Sequence, residues 1–360
     1  MTTNLYLDIN VLQTVPSSNI NRDDAGSPKT AIYGGVTRAR VSSQSWKRAM
    51  RLMFNQDQGD LPAGIRTKAV PQLLAAELQK QDATLNDADA QAKALALLET
   101  AGIKPDKKTN QTKALVLISQ GQVEKLAQYA LAHEDYDKKE LKKVFKGNQS
   151  LDTALFGRMV ADDPELNVDA AAQVAHAVST HEITPEFDYY TALDDEQPED
   201  TTGAAMLGTI EYNSSTLYRY ANVNMHELAH NLGEDVAVEG ALRFIKSFLL
   251  SMPTGKQNTF ANKTLPNFVM VTLRDDTPVN LVSAFEKPIH AGTDGYVAKS
   301  IAQLEKAAEV ATQFVDAPLL SVTLSPYETE TDNRAKNVAD LLAQVKATLD
   351  KVTQDENADD

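Results

Sequence analysis

Between Ala25 and Gln56 the chain carries six basic side chains (Lys29, Arg38, Arg40, Lys47, Arg48 and Arg51) and no acid, yet its formal net charge is −15. The remaining residues therefore sum to −21. A compact cationic island on an acidic molecule marks where an anionic ligand docks. The island is also patterned. Gln44, Lys47, Arg48 and Arg51 recur at i, i+3, i+4 and i+7, one face of a helix, while Trp46, Met50 and Met53 recur on the opposite face. Ser42 or Ser43 supplies an N-cap hydroxyl, and the helix is expected to run to about Phe54. A row of cations with an amide suits the sugar–phosphate backbone of a single strand. The alternative is a solvated face of a core helix; the acid-free approach with its Gly34-Gly35 turn favours binding.

A competing chemistry is written at 226–230, where His226, Glu227 and His230 form the H-E-x-x-H pattern of a zinc hydrolase. Two histidines four apart on a helix take Zn²⁺ and the glutamate activates water. The third ligand of the metzincin form falls on Val236, and Glu239 is too close to serve as a carboxylate from a following helix. The string thus reads as a helix with surface histidines, and hydrolysis stands as the alternative function. The segment T-G-K-Q-N at 254–258 imitates a phosphate-binding loop but has Gln257 at the Ser/Thr position and Leu250 where the first glycine belongs. It still offers Lys256 and backbone N–H groups to a phosphate. Lys138, Lys139, Lys142, Lys143 and Lys146 make a lysine stripe on one helix, among Glu134, Asp135, Asp137 and Glu140, which suits a solvated face. None of the six histidines sits in a recognisable catalytic string, so the chain reads as a binder with no cofactor and no metal.

The elements that must position these residues are mixed. Leu5, Leu7, Ile9 and Val11 alternate with polar residues, predicting a half-buried first strand. Residues 57 to about 180 are rich in Ala, Leu, Gln and Lys; 71–81, 88–100, 121–132 and 168–180 read as helices and 113–119 as a strand. From Pro185 to about Tyr220 the sequence lacks helical period and reads as an extended hairpin or long loop. Helices are expected at 236–250, 280–287, 296–314 and 334–351, and strands at 267–275 and 318–324. The closing TQDENADD is too acidic and polar to pack. Strands and helices at both ends around a helical middle indicate an α+β core built by the two termini. With 360 residues there is room for two cores, or one with large insertions. The absence of cysteine fits a reducing cytoplasm, and no apolar run reaches membrane-spanning length.

Several strings resemble the CasC family, the backbone subunit of the type I-E CRISPR surveillance complex Cascade. They are N-R-D-D at 21–24, A-I-Y-G-G at 31–35, R-V-S-S-Q-S-x-K-R-A-M-R at 40–51, F-G-R-M at 156–159, A-x-L-G-T at 205–209, Y-R-Y-A-N at 218–222, G-K-Q at 255–257 and A-F-E-K at 284–287. They run in order from Asn21 to Lys287, and the resemblance fades after about residue 300. It implies a modified RRM (ferredoxin-like) palm at 1–56 plus 218–352, a helical fingers insertion at 57–180, a protruding β-hairpin thumb at 187–217 and a disordered acidic tail at 353–360.

The resemblance also implies a non-catalytic, cytoplasmic subunit that polymerises along CRISPR guide RNA. Arg22, Lys29, Ser42, Gln44, Lys47, Arg48, Arg51, Lys256 and Gln257 would hold the guide, and Met159 would wedge between bases. Met206, Leu207 and Tyr212 would press on a displaced base from the thumb, and the lysine stripe would touch target DNA. The partners implied are guide RNA, target DNA, neighbouring copies, and the large, small and guide-end-binding subunits of Cascade, with no membrane.

Overall fold

The computed structural model describes residues 4–56, 61, 63–106, 108–160, 163–192 and 206–359. Its frame is an antiparallel sheet that runs, from one edge to the other, through Leu320–Leu324, Phe268–Arg274, Tyr6–Ser18, Met206–Asn224, Ala177–Ser179, Val36–Val41 and Thr30–Tyr33. Ala172–Val174 pairs alongside Met206–Asn224. The first strand lies at the centre, with Leu7 opposite Val223 on one side and Leu273 on the other. It is buried on both faces rather than half-buried, because helices cover the sheet twice. On one face Leu7, Ile9 and Val11 pack with Trp46 and Met50 of helix Ser43–Gln56, with Phe244 and Phe248 of helix Glu234–Leu250, and with Leu341 and Val345 of helix Val338–Asp359. On the other, Leu12, Tyr218 and Phe268 pack with Ile301 and Leu304 of helix Val297–Ala311. The expected α+β class, with helical insertions on a sheet, is what the chain forms.

Polar residues of the central strands find partners under the second layer. The Tyr220 hydroxyl and the Val279 N–H both donate to the carboxylate of Asp8, at 2.7 and 3.0 Å. Burial outweighs these bonds and the nearby Arg274, and pushes the Asp8 carboxyl up from 3.8 to about 6. A folded-state value above the unfolded one means that the native protein binds this proton more tightly. Its contribution therefore favours the fold at acid pH and is lost as the pH rises from about 4 to about 6. Relative to the Asp8→Asn variant, wild-type stability is expected to fall by about 3 kcal/mol across that window. Calorimetry of both proteins from pH 4 to pH 7 checks this; parallel pH profiles would refute it.

The insertion between the first helix and the sheet has a core of its own. Helices Val70–Gln81, Asp87–Ala101, Gln120–Ala132 and Lys138–Lys146 close around Leu74, Leu78, Leu97, Leu126, Leu141 and Phe145. Asn86 caps the second of these and a Ser119/Gln122 capping box starts the third. The expected helix at 168–180 is instead two short strands, Ala172–Val174 and Ala177–Ser179. Its alanine-rich composition is a weak prior, and pairing with Met206–Asn224 and Val36–Val41 overrides it. At the other end, helix Val338–Asp359 runs on through most of the stretch expected to be a disordered tail. No glycine or proline interrupts that stretch.

The hairpin forms, with Glu186–Ala192 paired to the outer half of Met206–Asn224 from Glu186↔Tyr212 to Ala192↔Met206. Its tip, 193–205, lies outside the described residues. The second strand does not stop at the sequence-based boundary of 217. Asn213 to Asn224 pair with the first strand and are buried at almost every position, so the hairpin is an overhang of a central strand. At the far edge, the Gly34-Gly35 turn lies against the A-F-E-K segment. A Cβ on Gly34 (φ +60) would stand 1.6 Å from the Glu286 carbonyl oxygen, so only glycine fits.

Candidate nucleic-acid interface

Helix Ser43–Gln56 starts where the Ser42 carbonyl accepts from the Ser45 and Trp46 N–H groups. Asn21 fixes this start by accepting from the Ser42 N–H at 2.8 Å. Trp46 and Met50 face the core as their spacing predicts, with Ala49 and Phe54 beside them, whereas Met53 is only half-buried. The opposite face opens into a groove of about 680 Å³, whose walls include Ser43, Gln44, Lys47, Arg48 and Arg51 from the helix. Across it stand Arg66, from strand Ile65–Thr67 of the insertion, and Leu115, Arg158 and Met159. Cations thus converge from two separately folded parts of the chain. Among the described residues Asp152 is the one carboxylate in this lining. It is buried, and it accepts from Arg51 Nε at 2.6 Å, the Gly64 N–H at 2.7 Å and the Ser150 hydroxyl at 2.7 Å. Its charge is answered inside the wall.

The cations differ in how they are held. The Lys47 ammonium lies 5.2 Å from the centre of the Phe156 ring, and burial lowers it from the ordinary lysine value. Arg48 and Arg66 are exposed. Arg158 does not reach for a ligand. Its guanidinium donates to the carbonyls of Leu117, Phe145 and Leu166, and burial without a carboxylate pushes it down to about 10, still protonated at neutral pH. That clamp fixes the neighbouring Met159, which is 83% exposed at the groove. An apolar side chain held out from a locked backbone is suited to contact a base or ribose.

Other expected contacts fall elsewhere. Ser42 is buried and does not line this groove; Ser43 takes its place. Arg22 is exposed on a loop closed by an Arg22–Pro28 bridge. Lys29 sits with Arg40, whose guanidinium donates to Nδ1 of His176 at 3.2 Å. Burial first, and then these two cations, lower the His176 imidazole from its ordinary value. Arg38 is wholly buried and donates to the carbonyls of Tyr33, Ser179 and Phe285. Lys256 caps the short helix Gln257–Phe260, and neither it nor Gln257 lines the main groove. Arg66 is the groove cation that sequence reasoning missed, since nothing in its neighbourhood marks it.

Over residues 7–354 the chain matches the protein-family model described as CT1975-like protein. It belongs to that family. Among solved structures it is similar to a chain of a "CRISPR RNA-guided surveillance complex, pre-nicking", with 33% identity, 95% of this chain and 100% of that one covered, and a TM-score of 0.83. A second, from a "CRISPR RNA-guided surveillance complex", shares 29% identity over 95% of this chain and 99% of that one, with a TM-score of 0.72. No curated protein matches. The chain is a CasC-like backbone subunit of a type I-E Cascade complex, non-catalytic and RNA-binding.

In this CasC-like subunit the H-E-L-A-H string is not a zinc hydrolase site. It forms helix Met225–Leu232, with Asn224 as its N-cap and with His226 and His230 on the exposed side. Among the described residues no group of three His, Cys, Asp or Glu side chains could hold a metal ion. The lysine stripe lies on helix Lys138–Lys146, opposite the buried Leu141 and Phe145. Lys142 is consumed by Asp163 at 2.7 Å and Glu165 at 2.5 Å, and Lys143 pairs with Glu140 at 2.7 Å. Lys138 stands 3.8 Å from Asp163, while Lys139 and Lys146 are exposed. Met206 and Leu207 are 57% and 59% exposed near the outer end of the hairpin. Tyr212 is at its root, its ring 5.7 Å from that of Phe260. The three expected base-pressing residues are therefore spread along the strand by about 20 Å, and Met206 and Leu207 point to opposite faces. Phe187 and Tyr189, both 65% exposed, share Leu207's face. No described helix is long and apolar enough to cross a membrane.

Proposed function

We propose that this subunit holds guide RNA in the groove between helix Ser43–Gln56 and the insertion, copy after copy along one strand. Gln44, Lys47, Arg48, Arg51 and Arg66 grip phosphates, and Met159 contacts the bases from the opposite wall. The observation that carries this reading is the convergence of cations from two folded units on a groove whose one carboxylate among the described residues is internally paired. Contacts to the backbone leave the bases available for pairing with target DNA. Lys29 and Arg40, on the edge hairpin, extend the cationic track.

Topology supports reading the sheet as a modified RRM palm. Taking Tyr6–Ser18, helix Ser43–Gln56, Ala172–Ser179, Met206–Asn224, helix Glu234–Leu250 and Phe268–Arg274 in turn gives β-α-β-β-α-β, with the fourth strand beside the first and the first beside the third. The separately cored insertion is then the fingers and the Glu186–Tyr212 overhang the thumb. We assign the thumb to a neighbouring copy and the guide, the free side of the fingers lysines to target DNA, and the remaining surface to the large, small and guide-end-binding subunits. Co-expression with a CRISPR array tests the reading. RNA of guide length should co-purify and be protected from nuclease, and its absence would overturn it.

A further inference from the structure

The first groove is not the only cationic recess beside helix Ser43–Gln56. On the other side of the helix, about 290 Å³ opens between Ser45, Arg48, Ala49, Leu52 and Met53 and the segment from Leu250 to Lys263. Arg48 lines both recesses, so its side chain stands between the two. Among the described residues no carboxylate lines the second recess, on a protein of formal charge −15. Its floor is apolar, and its polar groups are cations, amides and hydroxyls. One of them is unaccounted for: Ser251 is 7% exposed, and its hydroxyl has no partner among the described residues. A buried hydroxyl in that state is a group awaiting a ligand or a water.

The wall opposite the helix is rigid. Gly255 lies so close to the chain just past the first strand that a Cβ there would stand 2.3 Å from the Ile20 carbonyl oxygen. Lys256 and Ala261 adopt φ of 50° and 47°, a region that L side chains rarely enter and that persists only where the surroundings impose it. Just beyond, the Thr264 hydroxyl donates to the Thr14 carbonyl at 2.7 Å, and the Gln13 amide donates to the Thr264 carbonyl at 3.0 Å. Lys263 is exposed beside this anchor. A mobile lysine loses entropy when it binds, and a side chain presented from an over-determined loop loses less.

We infer that Arg48, Lys263 and the Ser251 hydroxyl form a second phosphodiester subsite, which takes the same RNA strand after it crosses the helix. The inference rests on the RNA reading of the first groove. Arg48 has five N–H donors in a planar fork and can bridge consecutive phosphates, while Lys263 supplies a point charge on the far wall. Ser251 donates a neutral hydrogen bond. The apolar floor touches ribose or base without reading sequence, as a guide-holding surface requires. The strings that imitate a phosphate loop drew attention to Lys256, which lines neither recess, whereas Lys263 lines this one.

Fluorescence anisotropy with a fluorescein-labelled, mixed-sequence single-stranded RNA 20-mer tests the subsite. Lys263→Ala should weaken binding about tenfold and reduce the salt slope by roughly 0.7, with Lys263→Arg restoring both. Ser251→Ala should cost about threefold at unchanged slope. Lys256→Ala removes the same charge from the same loop and should cost less than about twofold. Equal losses for Lys256→Ala and Lys263→Ala would show a diffuse field and overturn the subsite. Full affinity in Lys263→Ala, with a loss in Lys47→Met, would also overturn it while leaving the first groove in place. Full affinity in both would remove the first groove as well.

Discussion

Changing Lys47 to Met together with Arg48 and Arg66 to Ala is expected to abolish RNA binding by a protein that still folds. Each contact is a charge-assisted hydrogen bond worth about 1.5–3 kcal/mol, so losing three should cost at least about a thousandfold in affinity. The salt dependence should fall by roughly two units of slope, since each phosphate contact on a single strand contributes about 0.7. Stability should barely change. Arg48 and Arg66 are exposed, and exposed substitutions usually stay within about 0.5 kcal/mol. Methionine at 47 keeps an unbranched chain of similar length beside the Phe156 ring, over which the lysine ammonium lies. Arg51 is left out for a structural reason. It holds the buried Asp152, so Arg51→Ala would strand a carboxylate and cost about 3 kcal/mol, confounding binding with unfolding. Anisotropy titrations from about 50 to 300 mM salt, beside calorimetric melting, give the decision. A triple variant with wild-type affinity and slope would mean that RNA does not lie in this groove.

The helix at the centre of that prediction was legible because two signals coincide there: a charge of opposite sign to the rest of the chain, and apolar and basic residues in helical register on opposite faces. What the linear charge pattern could not show is which cations reach solvent. Arg38 belongs to the same island as Lys47, yet it is wholly buried against three carbonyls and joins the strings A-I-Y-G-G and A-F-E-K. In F-G-R-M, likewise, Arg158 holds the insertion together and only Met159 faces outward. Arg66 and Lys263 were invisible because their placement depends on segments far apart in the chain folding against one helix. The 168–180 error has the complementary cause. Alanine-rich sequence favours helix locally, but the sheet offers Ala172–Val174 a backbone partner on one side and Ala177–Ser179 partners on both, and a lone short helix there would forgo them. The H-E-L-A-H string satisfies the local rule for zinc and fails the spatial one, which no spacing along a chain can report.

Two deletions of the hairpin should separate cleanly. Removing Phe187 to Glu211, closed by a short Gly/Ser link, should leave a folded, RNA-binding monomer that forms no ordered array on a long guide. Removing Phe187 to Leu217 should instead abolish folding. The difference is six residues of a central strand. Asn213, Ser215, Thr216 and Leu217 are buried, and they pair with the first strand at Ser18, Val15, Thr14 and Gln13. Their loss strips partners from the middle of the sheet and opens the core beneath, a disruption well beyond the roughly 5–15 kcal/mol that holds a domain folded. The outer overhang is the reverse case. Glu186–Ala192 is exposed along its whole length, and Phe187, Tyr189 and Leu207 line up on one face that no described residue covers. An isolated two-stranded hairpin is marginal in water, so a face of this kind gains its stabilisation from what it meets. In a subunit that repeats along RNA, that surface belongs to the strand or to the next copy. Electron microscopy and sedimentation of the shorter deletion with a full-length guide decide the matter: regular filaments would show that the overhang is dispensable, and scattered monomers bound along otherwise naked RNA would show that it is what orders them.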